Sequence, residues 1–391
     1  MELNNTLIRP QGAGGSQSTL RDQNARLVLS LLRRHGALSG AEIARHSVLT
    51  AQTVSNILRA LEADGLVRRE AAIKGKVGKP SIPMSLNPNG VYSLGLNIGR
   101  RSAELVLVDF MGKPVAQKSI AYPYPSIETV FGFLEQSRYE ILAAHPAAAS
   151  SLAGIGVGRP FEIWSWLEVV DAPEDAMRAW KDLDLEERVR TTVGLPVTIQ
   201  NDATTACIAE HLLGRGSNFG NFAYFFIGAF IGGGLVLDNK VVTGPTGNAG
   251  AFGALRVPSG EGTTQLLQVA SLHGLEHALQ EAGIDPDHLR DPADDWSAFA
   301  KWVTPWVERT AHHLATAAIS TAAVVEVEAI LIDGAMPEAV RADLVAGVQE
   351  NIAAYAVTGI YKPQIGAAHV GRTARSIGAA MLPIHSTYFV G

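Results

Sequence analysis

The residues best suited to chemistry form one compact set near the start of the chain. Within TAQTVSNILRALEADG, Val54, Ile57, Leu58 and Leu61 have helical spacing, which leaves Ala51, Gln52, Thr53, Ser55, Asn56 and Arg59 on the outer face. Short amides, hydroxyls and a guanidinium on one helix face suit the donors and acceptors on base edges in a DNA major groove. Lys74, Lys76 and Lys79 follow in a glycine-rich stretch, as point charges for phosphates or a minor groove. Metal chemistry has poorer material. His273 and His277 stand at i,i+4 and His312-His313 are adjacent, but no carboxylate or third histidine has supporting spacing, so both pairs read as ordinary helix residues. Cys207 is the single cysteine, which excludes a disulfide framework and a multi-cysteine zinc site.

Three short helical patterns are needed to position that first set. Asp22 to Arg34 places Leu27, Leu31 and Leu32 near helical spacing, and Gly36 closes it. A second helix starts after Ser39, with Glu42 completing a capping box, and puts Ile43 and Ala44 inward. The third opens at Thr50 and ends at Gly65. LVRREAAIKGKVGKPSIPMSLNP then reads as two strands around a basic loop. Three helices and a two-stranded wing make a winged helix-turn-helix over residues 20–86, preceded by a Gly/Ser-rich arm over 1–19.

From Val91 the pattern changes to apolar runs ending in glycine turns. VYSLGLNIG, SAELVLVDFMGKPV and QKSIAYP predict an antiparallel meander, followed by a helix over Ile127–Ala144 and the buried strand LAGIGVGRP. GLPVTIQNDATTACIAEHLLG predicts strand, turn, helix. FAYFFIG and GGLVLD predict paired strands joined by a turn at Gly232–Gly234. Helices over Ala270–Glu281, Trp296–Val325 and Pro337–Asn351, with the strand AILIDGAM, complete an α/β body of two lobes over 89–391, the second roughly 210–368.

Composition agrees with this division. Hydrophobic residues are 47% of 391, and glycine, at 39, points to tight turns or close backbone approach to a ligand. Net charge is −6, but residues 1–83 carry +6 and the remainder −12, so only the head is suited to a polyanion. The 22 uncharged residues between Arg215 and Asp238 have the length of a membrane span, but six glycines break the helix that spanning requires. The opening residues lack the basic and apolar regions of a signal peptide, which gives a cytoplasmic expectation.

With the head in front of a body containing IQNDATTACIAE, IGGGLVLDNKVVTG and GNAGAFGALRVP, the chain resembles the ROK family (repressor, open reading frame, kinase) from about Leu20 to Gly378-Ala379-Ala380. The resemblance implies an actin-like, hexokinase-like ATPase (ribonuclease H-like) fold. It also shows departures from the family's sugar kinases. Their phosphate loop Asp-x-Gly-Gly-Thr is here Asn97-Ile98-Gly99-Arg100-Arg101-Ser102. Their second, Gly-Thr-Gly-x-Gly-Gly-Gly, is Gly228-Ala229-Phe230-Ile231-Gly232-Gly233-Gly234, and the adenosine-side Gly-Gly is Asp333-Gly334-Ala335. The zinc-binding Gly-Glu-x-Gly-His is Gly250-Ala251-Phe252-Gly253-Ala254, and SGEGTTQ replaces the cysteine block. No zinc, no cofactor and no kinase activity are expected.

By the same resemblance, Asn201, Asp202, Gly247 and Asn248 match sugar contacts, Asp202 at the position of the kinases' catalytic base. The bland alternative for Asp202 is a cap on the following helix. Arg159 and Pro160 match a Pro-Gly near the sugar, with Phe161, Trp164 and Trp166 close by, and Arg100, Arg101 and Arg159 raise a phosphorylated or acidic sugar as the ligand. The expected protein is a DNA-binding regulator, a repressor of sugar uptake or catabolism genes, working as a homodimer or homotetramer on double-stranded operator DNA and controlled by a sugar or sugar derivative. The alternatives are a sugar kinase with an appended DNA-binding head, and a regulator controlled by a protein partner.

Overall fold

Capping chemistry sets the helices of the head. A computed structural model describes residues 16–72, 81–165, 172–260, 262–291, 293–355 and 358–390. Helices α1 (Ser16–His35), α2 (Gly40–Ser47) and α3 (Ala51–Ala63) are followed by strands β1 (Val67–Arg69) and β2 (Met84–Leu86), paired antiparallel. At the start of α2 the Ser39 hydroxyl accepts from the Glu42 amide at 3.3 Å, and the Glu42 carboxylate accepts from the Ser39 amide at 2.8 Å. Thr50 caps α3 by accepting from the Thr53 amide. Gly36 and Gly65 close α1 and α3 at φ of +75° and +72°, a region that favours glycine. Val54, Ile57 and Leu61 are buried as their spacing predicts. On α1 the buried face is Ala25, Val28, Leu29 and Leu32, whereas Leu27 and Leu31 are only partly covered. The face is rotated because α1 packs against the body as well as the head. The arm residues 1–15, Lys74, Lys76, Lys79 and Trp166 lie outside the described residues.

The body repeats one plan twice. In the first lobe β3 (Tyr92–Ile98), β4 (Ser102–Asp109) and β5 (Pro114–Ala121) form an antiparallel meander, and β6 (Leu152–Arg159) and β7 (Val197–Asn201) add in parallel, giving the order β5-β4-β3-β6-β7. In the second, β8 (Phe222–Ile227), β9 (Ile231–Leu237) and β10 (Lys240–Val242) form the meander, and β13 (Ala329–Gly334) and β14 (Gln364–Ala367) add in parallel, in the order β10-β9-β8-β13-β14. A separate hairpin of β11 (Arg256–Ser259) and β12 (Gly262–Gln265) occupies SGEGTTQ. Helices α4 (Ile127–Ala144), α5 (Glu174–Asp182) and α6 (Leu185–Val193) cover the first sheet. Helices α8 (Leu272–Glu281), α9 (Ala300–Val324) and α10 (Glu338–Ala354) cover the second, and the Ala-rich run of α9 is core, with Leu314, Ala315 and Ala318 inaccessible.

Between the sheets lie α7 (Asp202–Leu213) and α11 (Ala374–Tyr388). The triple glycine is not a turn, as the sequence reading had it; Gly232–Gly234 lie inside β9 and the turn is Gly228-Ala229-Phe230. A β-carbon on Gly232 would stand 2.8 Å from that of Ala203, and one on Gly234 would collide with Cys207. The glycines therefore let a strand lie directly on α7. A β-carbon on Gly378 of α11 would likewise run into the Thr205 carbonyl of α7. Among the described residues, no helix is long and apolar enough to cross a membrane.

Candidate functional site

Strand β7 runs straight into α7, which places Asn201 and Asp202 at the helix N-terminus. Asn201 is the cap: its side-chain oxygen accepts from the amides of Ala203 (2.9 Å) and Thr204 (3.1 Å). Asp202 is thereby spared most of that task. One of its oxygens accepts from the Ala203 amide and the other stands 3.5 Å from the Arg375 guanidinium, in the first turn of α11. Both residues line a cavity of about 290 Å³ between the lobes.

The cavity gathers groups from many segments. Arg100 comes from the β3–β4 turn, Pro160 and Phe161 follow β6, Ala229 and Phe230 form the β8–β9 turn, Asn248 and Ala251 follow β10, and Gln265 ends β12. The Arg100 guanidinium lies 4.8 Å above the Phe230 ring, and that of Arg375 lies 5.0 Å above Phe226. Burial lowers the Arg100 pKa to about 10, with Asp202 opposing the shift and Arg375 adding to it, so the group stays charged at neutral pH. Below Arg375, burial raises the Glu104 carboxyl, which accepts from the Ser376 hydroxyl.

The phosphate-loop positions take other uses. Phe230 and Arg100 stack where the resemblance places bare backbone, and the Gly228 and Ala229 carbonyls accept from the amides of Leu272 and His273 at the start of α8. Asp333 is inaccessible and accepts from Tyr224 at 2.9 Å, Arg341 at 2.6 Å and the amides of Gly334 and Gly371. The Asp-Gly-Ala stretch is thus knitted into a buried polar network. Ala251 and Ala254, at the Glu and His positions of the family motif, both line the cavity, so space that longer side chains would fill is open.

The expected contacts divide. Asn201, Asp202, Pro160 and Asn248 line the cavity. Gly247 holds the adjacent turn at φ +73°, while Arg159 stacks over Trp164 at 5.6 Å and Arg101 donates to the Pro123 carbonyl, neither of them in the lining. Arg375 and Gln265 escaped sequence reading; the signal for Arg375 was one guanidinium heading a stretch of small residues. His273 and His277 pair loosely with Glu276 and Glu281, and His312 lies beside Asn351, each in its own place.

On the head, Ala51, Gln52, Ser55, Asn56 and Arg59 are exposed and Thr53 half-exposed. Gln52 donates to Asn56 and Arg59 donates to Ser55, each at 3.2 Å, which orders the face without burying it. The far end of α11 reaches this domain. Arg26 of α1 donates to the Ser386 carbonyl at 3.1 Å, the Val390 amide donates to the Ser30 hydroxyl at 3.0 Å, and the Arg33 guanidinium lies 4.8 Å above Phe389. Phe110, at the end of β4, stacks on the same ring at 5.5 Å. One helix therefore begins at the cavity and ends against the head.

The family model described as "ROK family" matches residues 93–385, three quarters of the chain. The chain belongs to the ROK family. The head matches the model described as "MarR family" over residues 21–76. A xylose repressor of Bacillus spizizenii is 24% identical over 62% of this ROK chain and 62% of its own. A glucokinase of Halalkalibacterium halodurans is 28% identical over 55% of this chain and 71% of its own. A solved ROK family transcriptional regulator, described as a homolog of the Escherichia coli MLC protein, superposes with a TM-score of 0.67 at 20% identity, covering 94% of this chain and 96% of that one. That last likeness shows the fold, head and body together, to be the actin-like one with an N-terminal helix-turn-helix.

Proposed function

We propose that this ROK protein is a DNA-binding transcriptional repressor of sugar uptake or catabolism genes, whose cavity binds a sugar or sugar derivative. The carrying observation is the path of α11, from Arg375 beside Asp202 to Ser386 and Phe389 against α1. A ligand that engages Asp202 and Arg375 acts on the first turn of the helix whose last turn seats the DNA-binding head. Ligand then favours one lobe arrangement, and with it one placement of the head. Ala51, Gln52, Thr53, Ser55, Asn56 and Arg59 read base edges, while Lys74, Lys76 and Lys79 meet phosphate. Two heads of a homodimer or homotetramer need recognition helices about one DNA turn apart, so a modest rotation abolishes specific binding. The site of action is the cytoplasm.

The body is a kinase fold without turnover in this reading. Asn97 replaces an acid, Phe230 and Arg100 crowd the phosphate side, and Asp333 is committed to four partners. A sugar kinase with an added head is the second reading, favoured by the Asp202 carboxylate facing the cavity and by the glucokinase relative.

Fluorescence anisotropy of the full chain on its own upstream DNA, at two salt concentrations with a sugar panel, tests the proposal. Salt-sensitive, sequence-selective binding released or tightened by one compound is expected. No selective DNA binding would overturn it.

A further inference from the structure

Two guanidinium groups stand in the lining of the cavity, beside the amides and hydroxyls that a neutral sugar would need. Arg100 is partly buried, with its Nε covered, and Asp202 attracts it while Arg375 repels it. Arg375 leans on the same carboxylate at 3.5 Å, and its buried Nε has no hydrogen-bond partner among the described residues. Glu162, the other acid in the lining, is exposed at the rim. Within the lining the two inner guanidinium groups face one inner carboxylate, Asp202, while the Glu104 carboxyl, which also attracts Arg375, lies beneath it outside the lining. The remaining lining is suited to hydroxyls: Asn201, Asn248, Gln265 and Ser165 offer amide and hydroxyl groups, and Ala251 and Ala254 leave room.

We propose that the ligand is an anionic polyol, a sugar acid or sugar phosphate, whose oxyanion is held by Arg100 and Arg375 and whose hydroxyls bond Asn201, Asp202 and Asn248. This rests on the cavity being the effector site. Guanidinium forks match carboxylate and phosphate oxygens in pairs, and such charge-assisted bonds are about twice as strong as neutral ones. Phe230 and Phe226 hold the two guanidinium groups from behind and shield that end from water.

Calorimetric titration of the full chain with matched probes tests this: D-glucose, D-gluconate and D-glucose 6-phosphate, and D-xylose with D-xylonate. A charged member binding at least about tenfold more tightly than its neutral parent is expected, and the member that does so separates carboxylate from phosphate recognition. Arg100→Gln and Arg375→Gln should each erase that preference, with Arg375→Lys, a milder change, retaining part of it; circular dichroism confirms that each variant is folded. A neutral parent that binds as well as its charged forms, or a preference that survives both glutamine variants, overturns the inference. Operator anisotropy in parallel separates the two claims. Release of DNA by a neutral sugar alone leaves the repressor reading standing and removes this one. Tight binding of an anionic probe by a chain that binds no DNA does the reverse.

Discussion

Acidification should loosen the seam between head and body, through His385. This residue lies near the end of α11, where burial first, then Arg33 on α1 and His211 on α7, lower its pKa from 6.5 to about 4. His211 is itself depressed by burial, with its Nε2 3.1 Å from the Asn239 carbonyl oxygen. Arg33 is held down to about 10 by burial, and its terminal nitrogens find no acceptor among the described residues. A proton added to His385 therefore places a second cation beside a buried first one. Between about pH 6.5 and about 4 the unfolded chain binds this proton and the folded chain refuses it. The neutral form's contribution is complete above the unfolded pKa and is lost as pH falls through the window. With a displacement of about 2.5 pK units, the loss between about pH 7.5 and about pH 5 is on the order of 2 kcal/mol. Urea unfolding at both pH values, for the natural chain and His385→Gln, isolates this group by difference, because other titrating groups are common to both. A difference below about 0.5 kcal/mol, or an NMR titration of His385 near its ordinary value, would refute the reasoning.

Removing the α2 cap with Ser39→Ala should cost about 1 kcal/mol in thermal unfolding and lower operator affinity, since the Ser39 hydroxyl both accepts from the Glu42 amide and donates to its carboxylate. Asn56→Ala or Arg59→Ala should relax base preference at about 1–3 kcal/mol per lost contact, whereas Lys79→Ala should weaken all sequences alike and reduce the salt slope by about one; competition anisotropy on operator and scrambled DNA distinguishes them. ADP release over a sugar panel should stay at background, and Phe230→Gly should not raise it while Asn97 and Arg100 remain; turnover in the natural chain would establish the kinase reading. Asp202→Ala should leave an operator complex that no sugar releases, a result read directly by anisotropy.

Local chemistry was legible wherever a few neighbouring residues decide the outcome. The Ser39/Glu42 box and the Thr50 cap are local, and α4 has the bounds Ile127–Ala144 that its pattern predicts. Adjacent candidates were harder: Asn201 and Asp202 are equally good caps in sequence, and only the fold shows Asn201 capping while Asp202 reaches Arg375. Gly232–Gly234 misled because a glycine that makes a turn and one that admits a helix read alike; the decisive neighbours, Ala203 and Cys207, come from another element. Arg375 was missed for the same reason, its partner being far away along the chain. The docking of α1 on Phe389 depends on contacts between opposite ends of the sequence, which no window of residues contains.

The tight packing around α11 also fixes what kind of motion it can make. Gly95, Gly156 and Gly378 bring its backbone so close to β3, β6 and α7 that no compressible side chain lies between them. With no soft side chain there to absorb a displacement, the helix moves as one rigid body. Its 15 residues then act as a lever about 21 Å long. A tilt of about 5° at the cavity end displaces the far end by about 2 Å. That exceeds the slack in a 3.1 Å hydrogen bond from Arg26 to Ser386, so a tilt of that size would break this link to the head.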